Sequence, residues 1–501
     1  MSVLKKFLGD TAIYGLSTII SRLFNFILTP IFVKVFAPAV YGIFTKMYSY
    51  VSIVNAVLAF GMETTYFRYM NKHEDRKQEV YNNAFIVILV IAGLFLITGL
   101  IWSTAIAKMM LNGDYAQLED QTRYVKYFVW LSFVDAIAVI PFAKLRADGK
   151  PIKYSLIKIV NIATFIGLNL FFLFVIPYII KNHLPLSDWL SSWYRFQWIG
   201  YVFIANLVAS IAALLLLLPE ILQVQLKFDQ ALFKTMLSYS WPILVANLSF
   251  IVNENLDKIL LGRYLPDAIA DRETGIYGAV CKLAIFLSIF IQAFRLGAEP
   301  FFFSHAKAKN ARQTYAIILQ YFVVALSVIF VGLIANIEIL KHFISGKNHE
   351  LQMEYWSGLP AVPFLLFGYM CLGIYMNLSI WYRLSDQTRF ALYISIVGAV
   401  LTIVLNIVLI PRYSYMGSAW VSMIAYFVMM VISYVLGQKY YPIPYKLKRI
   451  LAYIISSVVL VSLSFWVFHS NLIISNALLL LFIGAIVYFE KDELRGILAR
   501  K

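Results

Sequence analysis

Residues 82–103 read NNAFIVILVIAGLFLITGLIWS, 22 positions without a charged side chain. An α-helix rises ~1.5 Å per residue, so the stretch makes a rod about 33 Å long, enough to cross ~30 Å of hydrocarbon. Thirteen more apolar blocks of similar length surround it. The first runs over 11–36 and the last over 472–489, and they include 40–65, 124–143, 237–262, 275–300, 390–410 and 416–437. The whole chain follows the same pattern. Of its 501 residues 61% are hydrophobic and 14% charged, against about 45–50% and 25% in a soluble domain. Mean hydropathy is +0.77. These values exclude an ordinary soluble enzyme, a disordered chain and a DNA-binding domain. They predict an all-α polytopic membrane protein with about 14 transmembrane helices.

The net charge is +16. A nucleic-acid partner is not needed to explain it, because Lys and Arg gather in cytoplasmic loops. With the N-terminus inside, 25 of the 42 Lys and Arg fall on the inner side, 9 on the outer side and 8 within the blocks. The expected topology is therefore N-in and C-in. Cys281 and Cys371 lie in apolar blocks, and no disulfide is expected.

The chain also repeats. Arg146 and Arg383 are 237 positions apart, as are Asn169 and Asn406, and Pro177 and Pro411 lie 234 apart. Two six-helix halves of the same orientation, plus two extra helices, explain the shared offset; parallel repeats are a transporter plan. The expected lobes are residues 1–225 and 226–440, followed by 441–501. Loops of ~20 residues or fewer leave no room for a catalytic domain, so an enzyme is not expected.

Ionisable groups at membrane depth cost at least ~2.5–3.5 kcal/mol and usually face a cavity or a partner. They single out the candidate residues. Thr18, Arg22, Asn25 and Thr29 are spaced to share one helical stripe. Asp135 lies at a depth similar to Arg22, which leaves two readings: a cation facing a wet cavity, or a buried Arg22–Asp135 pair. Lys46 stands in the second block. The seventh block holds Asn253-Glu254-Asn255-Leu256-Asp257-Lys258, with Glu254, Asp257 and Lys258 on one face and able to neutralise each other. Lys282, Arg295 and Glu299 follow in the eighth block, the last two at i and i+4. Lys34, Lys126 and Lys158 read as snorkelling side chains. The six histidines show no metal-ligand spacing, and there is no glycine-rich phosphate loop to drive an ATPase.

Several short motifs recur together: Gly15-Leu16-Ser17-Thr18-Ile19-Ile20-Ser21-Arg22, Tyr41-Gly42-Ile43-Phe44, Leu237-Ser238-Tyr239-Ser240-Trp241-Pro242 and Asp257-Lys258. Gly275-Ile276-Tyr277, Ala298-Glu299-Pro300-Phe301 and Leu405-Asn406-Ile407-Val408-Leu409-Ile410-Pro411 complete the set. In these the sequence resembles the Wzx-type polysaccharide-biosynthesis flippases, in the superfamily that also holds MATE exporters and lipid II flippases. The resemblance implies two six-helix lobes around a central cavity and alternating access. It also implies a polyprenyl-diphosphate-linked oligosaccharide as cargo, the bacterial inner membrane as location and polysaccharide assembly proteins as partners. No cofactor is implied beyond a coupling ion, H+ or Na+. Arg22, Asn25, Lys46, Lys282 and Arg295 are then the expected substrate contacts. Asp135, Glu254, Asp257, Lys258 and Glu299 are the expected coupling or gating groups. An ion-coupled small-molecule exporter of the MATE kind and a membrane glycosyltransferase or polymerase are the alternatives. Basic residues outnumber acidic ones inside the blocks, which favours an anionic cargo over a cationic drug.

Overall fold

The computed structural model describes residues 26–111, 116–306, 308–385, 387 and 389–498; within the helices the side chains of 296, 297, 299, 300, 303, 304 and 492–498 are left undescribed. All regular structure among these residues is helical. Eleven helices are long and apolar enough to cross a membrane, and two shorter apolar ones, Phe26–Val35 and Gly200–Leu216, accompany them. The chain divides into two compact units, Met1–Gly278 and Ala279–Lys501.

In the first unit the helices are α1 (Phe26–Val35), α2 (Pro38–Ala59), α3 (Met62–Lys72), α4 (Lys77–Ile101) and α5 (Ser103–Met110). They continue with α6 (Leu118–Ala147), α7 (Pro151–Leu170), α8 (Gly200–Leu216) and α9 (Gln230–Tyr264). Helix α10 (Asp267–His305) begins here and carries the unit boundary within it. Pro38 and Pro151 stand in the first turns of α2 and α7, where a missing N–H costs nothing. Phe60 and Gly61 turn the chain between α2 and α3 with left-handed backbones, φ 49° and 66°. Helix α4 contains most of the 82–103 stretch. Its Asn82 and Asn83 are buried and clamp the segment before α9. Asn82 Oδ1 accepts from the Gln225 amide at 3.0 Å, and Asn83 exchanges two bonds with the Asp229 backbone at 2.8 and 2.9 Å. Leu58, Tyr66, Tyr81, Ile88, Ile140 and Met236 close one core where α2, α3, α4, α6 and α9 meet.

Helices α2 and α10 touch backbone to backbone. A Cβ on Gly42 would fall on the Asp271 carbonyl, and one on Gly275 on the Pro38 carbonyl. Only glycine permits that approach.

In the second unit α10 continues, followed by α11 (Ala311–Ala335), α12 (Val362–Leu378) and the run Arg389–Tyr440. That run of 52 residues is two helices joined at Ser414, whose φ of 50° and ψ of −138° are not helical. The break follows Pro411 and lies between the blocks expected at 390–410 and 416–437. Ser418 donates to Asn406 Oδ1 at 2.9 Å across it, and Asn406 Nδ2 donates to the Thr402 carbonyl at 2.8 Å. Helices α13 (Leu447–Ser462) and α14 (Leu472–Leu498) complete the described chain.

Candidate functional site

Arg22 and Asn25 lie outside the described residues, and the Glu299 side chain is likewise undescribed. The remaining candidates fall into four places.

Lys46 Nζ sits 2.6 Å from Asp271 Oδ1, bringing α2 against the start of α10 beside the glycine contact. Lys46 is only 5% exposed. Its stem lies over Gly262, where an added Cβ would come within 2.7 Å of the lysine Cδ. The glycines at 42, 262 and 275 thus create the close approach in which the pair forms.

Asp135 of α6 has Ser210 of α8 and Asn55 of α2 as hydrogen-bonding neighbours and Lys158 of α7 as an opposite charge acting on it. Lys158 in turn lies 4.2 Å from the Phe142 ring centroid and feels the Arg146 and Glu63 charges. Arg146 pairs with Glu63 and stacks over Phe67. One chain of charges therefore links α3, α6 and α7. Lys158, expected to snorkel, belongs to it.

On α9, Lys258 Nζ donates to Asp257 Oδ1 at 2.8 Å and to the Glu254 carbonyl at 2.7 Å. Asp257 Oδ2 accepts from the Tyr277 hydroxyl at 2.7 Å. Asp257 and Tyr277 are both buried. An acid, a base and a phenol thus share one hydrogen-bonded set on α9 and α10.

In the second unit Arg295 of α10 and Arg383, which follows α12, line one recess with Asn377 and Met376. Phe294 and Phe322 stack beside it with ring centroids 4.0 Å apart. Asn377 is buried, and its Nδ2 has no hydrogen-bond partner among the described residues. The recess is small, about 20 Å³, room for a single water, and it brings two guanidiniums and a buried amide donor to one place. Lys282, half-buried, lies in the same unit.

Sequence reasoning did not select Asp271, Tyr277, Lys158 or Arg383 as site residues. Arg383 was visible only as half of the Arg146/Arg383 repeat. No cluster of three or more His, Cys, Asp and Glu able to hold a metal occurs among the described residues.

Residues 7–306, more than half of the chain, match the model of a family described as polysaccharide biosynthesis protein. No curated protein is a significant sequence match. An inward-facing multidrug resistance MATE family transporter of the MOP superfamily superposes with a TM-score of 0.66 at 12% identity, covering 86% of this chain and 95% of its own. The lipid II flippase MurJ in an inward closed conformation gives 0.65 at 14% identity, covering 96% of this chain and 99% of its own. The MATE multidrug transporter DinF-BH gives 0.60 at 17%, covering 87% and 96%. At these identities the likeness is one of fold.

Proposed function

The chain belongs to the polysaccharide biosynthesis protein family, and from that membership we propose that it flips a polyprenyl-diphosphate-linked oligosaccharide across a bacterial inner membrane by alternating access. The observation that carries the reading is the family match over residues 7–306; Arg295, Arg383 and Asn377, which line one small recess, are the groups assigned to the head group. A diphosphate offers several anionic oxygens, and guanidiniums meet such oxygens in bidentate fashion. In a medium of low dielectric that attraction is much stronger than in water. The prenyl chain stays in lipid while the charged head crosses.

The lobes 1–225 and 226–440, with 441–501 appended, carry the cycle, and the orientation is N-in and C-in. Arg22, Asn25, Lys46 and Lys282 are further head-group contacts. Asp135 with Lys158, the Glu254–Asp257–Lys258 set and Glu299 couple the cycle to H+ or Na+. Polysaccharide assembly proteins receive the product.

Flipping of a fluorescent polyprenyl-diphosphate-linked saccharide by the full chain in liposomes tests the reading. A hydrogen bond to a charged group contributes about 1.5–3 kcal/mol, so Arg295→Ala and Arg383→Ala should each slow flipping by about 10- to 100-fold. Unchanged flipping in the double variant removes the recess from the mechanism. Export of a cationic dye with no glycan flipping replaces this function with the MATE-like one.

A further inference from the structure

Within the unit Met1–Gly278, helices α2, α4, α5, α6 and α9 line a half-open cavity of about 500 Å³. That is within the ~300–1,000 Å³ of sites that hold small ligands. Its back wall is deeply buried: Met47, Val51, Phe128 and Ser132 are 2%, 8%, 5% and 1% exposed. Its opposite side carries the exposed Met109 of α5 and Arg263 in the last turn of α9.

The wall is fixed in place. Gln121 of α6 is buried, and its Nε2 lies 3.4 Å from Met47 Sδ and 3.6 Å from Met110 Sδ. Two thioethers from α2 and α5 are thereby tied to a third helix. Thioether side chains adapt to the shape of a flexible apolar guest. Polarity is confined to three groups among the described residues. Ser132 Oγ is buried with no hydrogen-bond partner among them. Tyr50 lies in the field of Arg263, and Arg263 is the single described ionisable side chain other than Tyr50 lining the space. A ligand polar along its length would lose its hydration here without replacement. An amphiphile would not: its chain fills the apolar interior and its phosphate meets the guanidinium.

We infer that this cavity holds one acyl chain of an anionic phospholipid, phosphatidylglycerol in type, with its phosphate on Arg263. The site and the Arg295–Arg383 recess belong to different units, and the site does not depend on what the protein transports. Bound lipid ties α5 and α9 to α2 and α6 through contacts with all four.

Native mass spectrometry of the purified full chain, titrated with phosphatidylglycerol or phosphatidylcholine, reads the site directly. Wild-type protein should keep one phosphatidylglycerol more tightly than any later one and more tightly than phosphatidylcholine. One basic residue near an anionic head group changes the affinity of that first lipid by about fivefold, so Arg263→Gln should weaken it by that factor. Ser132→Phe fills the interior and should remove the first-lipid step while later, weaker adducts persist. Because Arg263 is exposed, Arg263→Gln is a test that survives even where Ser132→Phe fails to fold. Equal first-lipid affinity in wild type and Arg263→Gln, or no preference between the two lipids, overturns the inference. Displacement of the phosphatidylglycerol by polyprenyl phosphate at equal concentration also overturns it, and assigns the cavity to the cargo tail. None of these readouts involves flipping, so a failure here leaves the transport reading standing.

Discussion

Lys46 and Asp271 differ in how far they are withdrawn from water: their side chains are 6% and 29% exposed. Removing the carboxylate strands a buried ammonium, whereas removing the ammonium leaves a carboxylate that water still reaches. Asp271→Asn should therefore lower the melting temperature more than Lys46→Met, and the double variant should recover part of the loss. A double-mutant cycle is expected to give a coupling of about 0.5–3 kcal/mol; strictly additive effects would show that the 2.6 Å contact contributes nothing. Lys46, Asp257, Lys258 and Arg295 were legible in the sequence because charge at membrane depth is costly wherever it occurs. Their partners were not. Asp271 is 225 positions from Lys46 and sits just outside an apolar block, with no local period to mark it. Tyr277 reads as one more aromatic in an apolar helix until Asp257 is found 2.7 Å from its hydroxyl.

At the scale of elements, two contacts determine how helices meet. The first is the glycine crossing of α2 and α10. A methyl at Gly42 or Gly275 lands on a backbone carbonyl, which cannot rotate away. Overpacking of this kind costs about 1–3 kcal/mol, so Gly42→Ala and Gly275→Ala should each lower the melting temperature. Gly93→Ala on α4, where a Cβ meets nothing within 4 Å, is the control that should not. The second is the N-terminus of α9. Asp229 Oδ1 accepts the Leu232 amide at 2.9 Å, and Arg76 pairs with the same carboxylate. The amide and then the guanidinium hold its carboxyl below the usual carboxylate range. A carboxyl depressed on folding stabilises the protein above its unfolded pKa of ~3.9, and that contribution fades as pH falls through the lower folded value. Asp229→Asn keeps a capping acceptor and loses the charge. Its melting temperature should lie below wild type at pH 7, and the gap should narrow below about pH 4. A gap independent of pH would assign the loss to the cap alone. Hydropathy placed these helices well, because block length is a property of each segment by itself. It did not reveal that Asn82 and Asn83, inside the most apolar-looking stretch, fasten the segment leading to Asp229. That role depends on a partner about 143 to 146 residues away.

Over the whole molecule, the repeat predicts a lobe boundary at residue 225; compactness, a separate property, divides the chain at 278, inside α10. The physical reason is local: Gly42, Lys46 and Thr45 of α2 hold Asp271, Gly275 and Gly278 of α10, and Lys46 also covers Gly262 of α9. Sequence repeats record common descent of segments; compactness records which surfaces are pressed together in one conformation. On the proposed N-in orientation, which the excess of 25 over 9 basic residues favours, Arg76, Arg146, Arg383 and the end of α10 would lie on the cytoplasmic side. On that orientation the recess bearing Arg295 and Arg383 would face the leaflet from which the proposed cargo is loaded. Alkaline phosphatase is active only outside the cytoplasm, so a fusion within residues 181–197 should be active and a fusion after Lys501 should not. A fluorescent protein after Lys501 should in turn be bright. The reverse pattern would turn the recess to the far side, where it would face released product rather than arriving cargo. In that case Arg295→Ala and Arg383→Ala would slow release or return of the head group, and the loading role assigned to the two guanidiniums would have to move to the opposite end of the bundle.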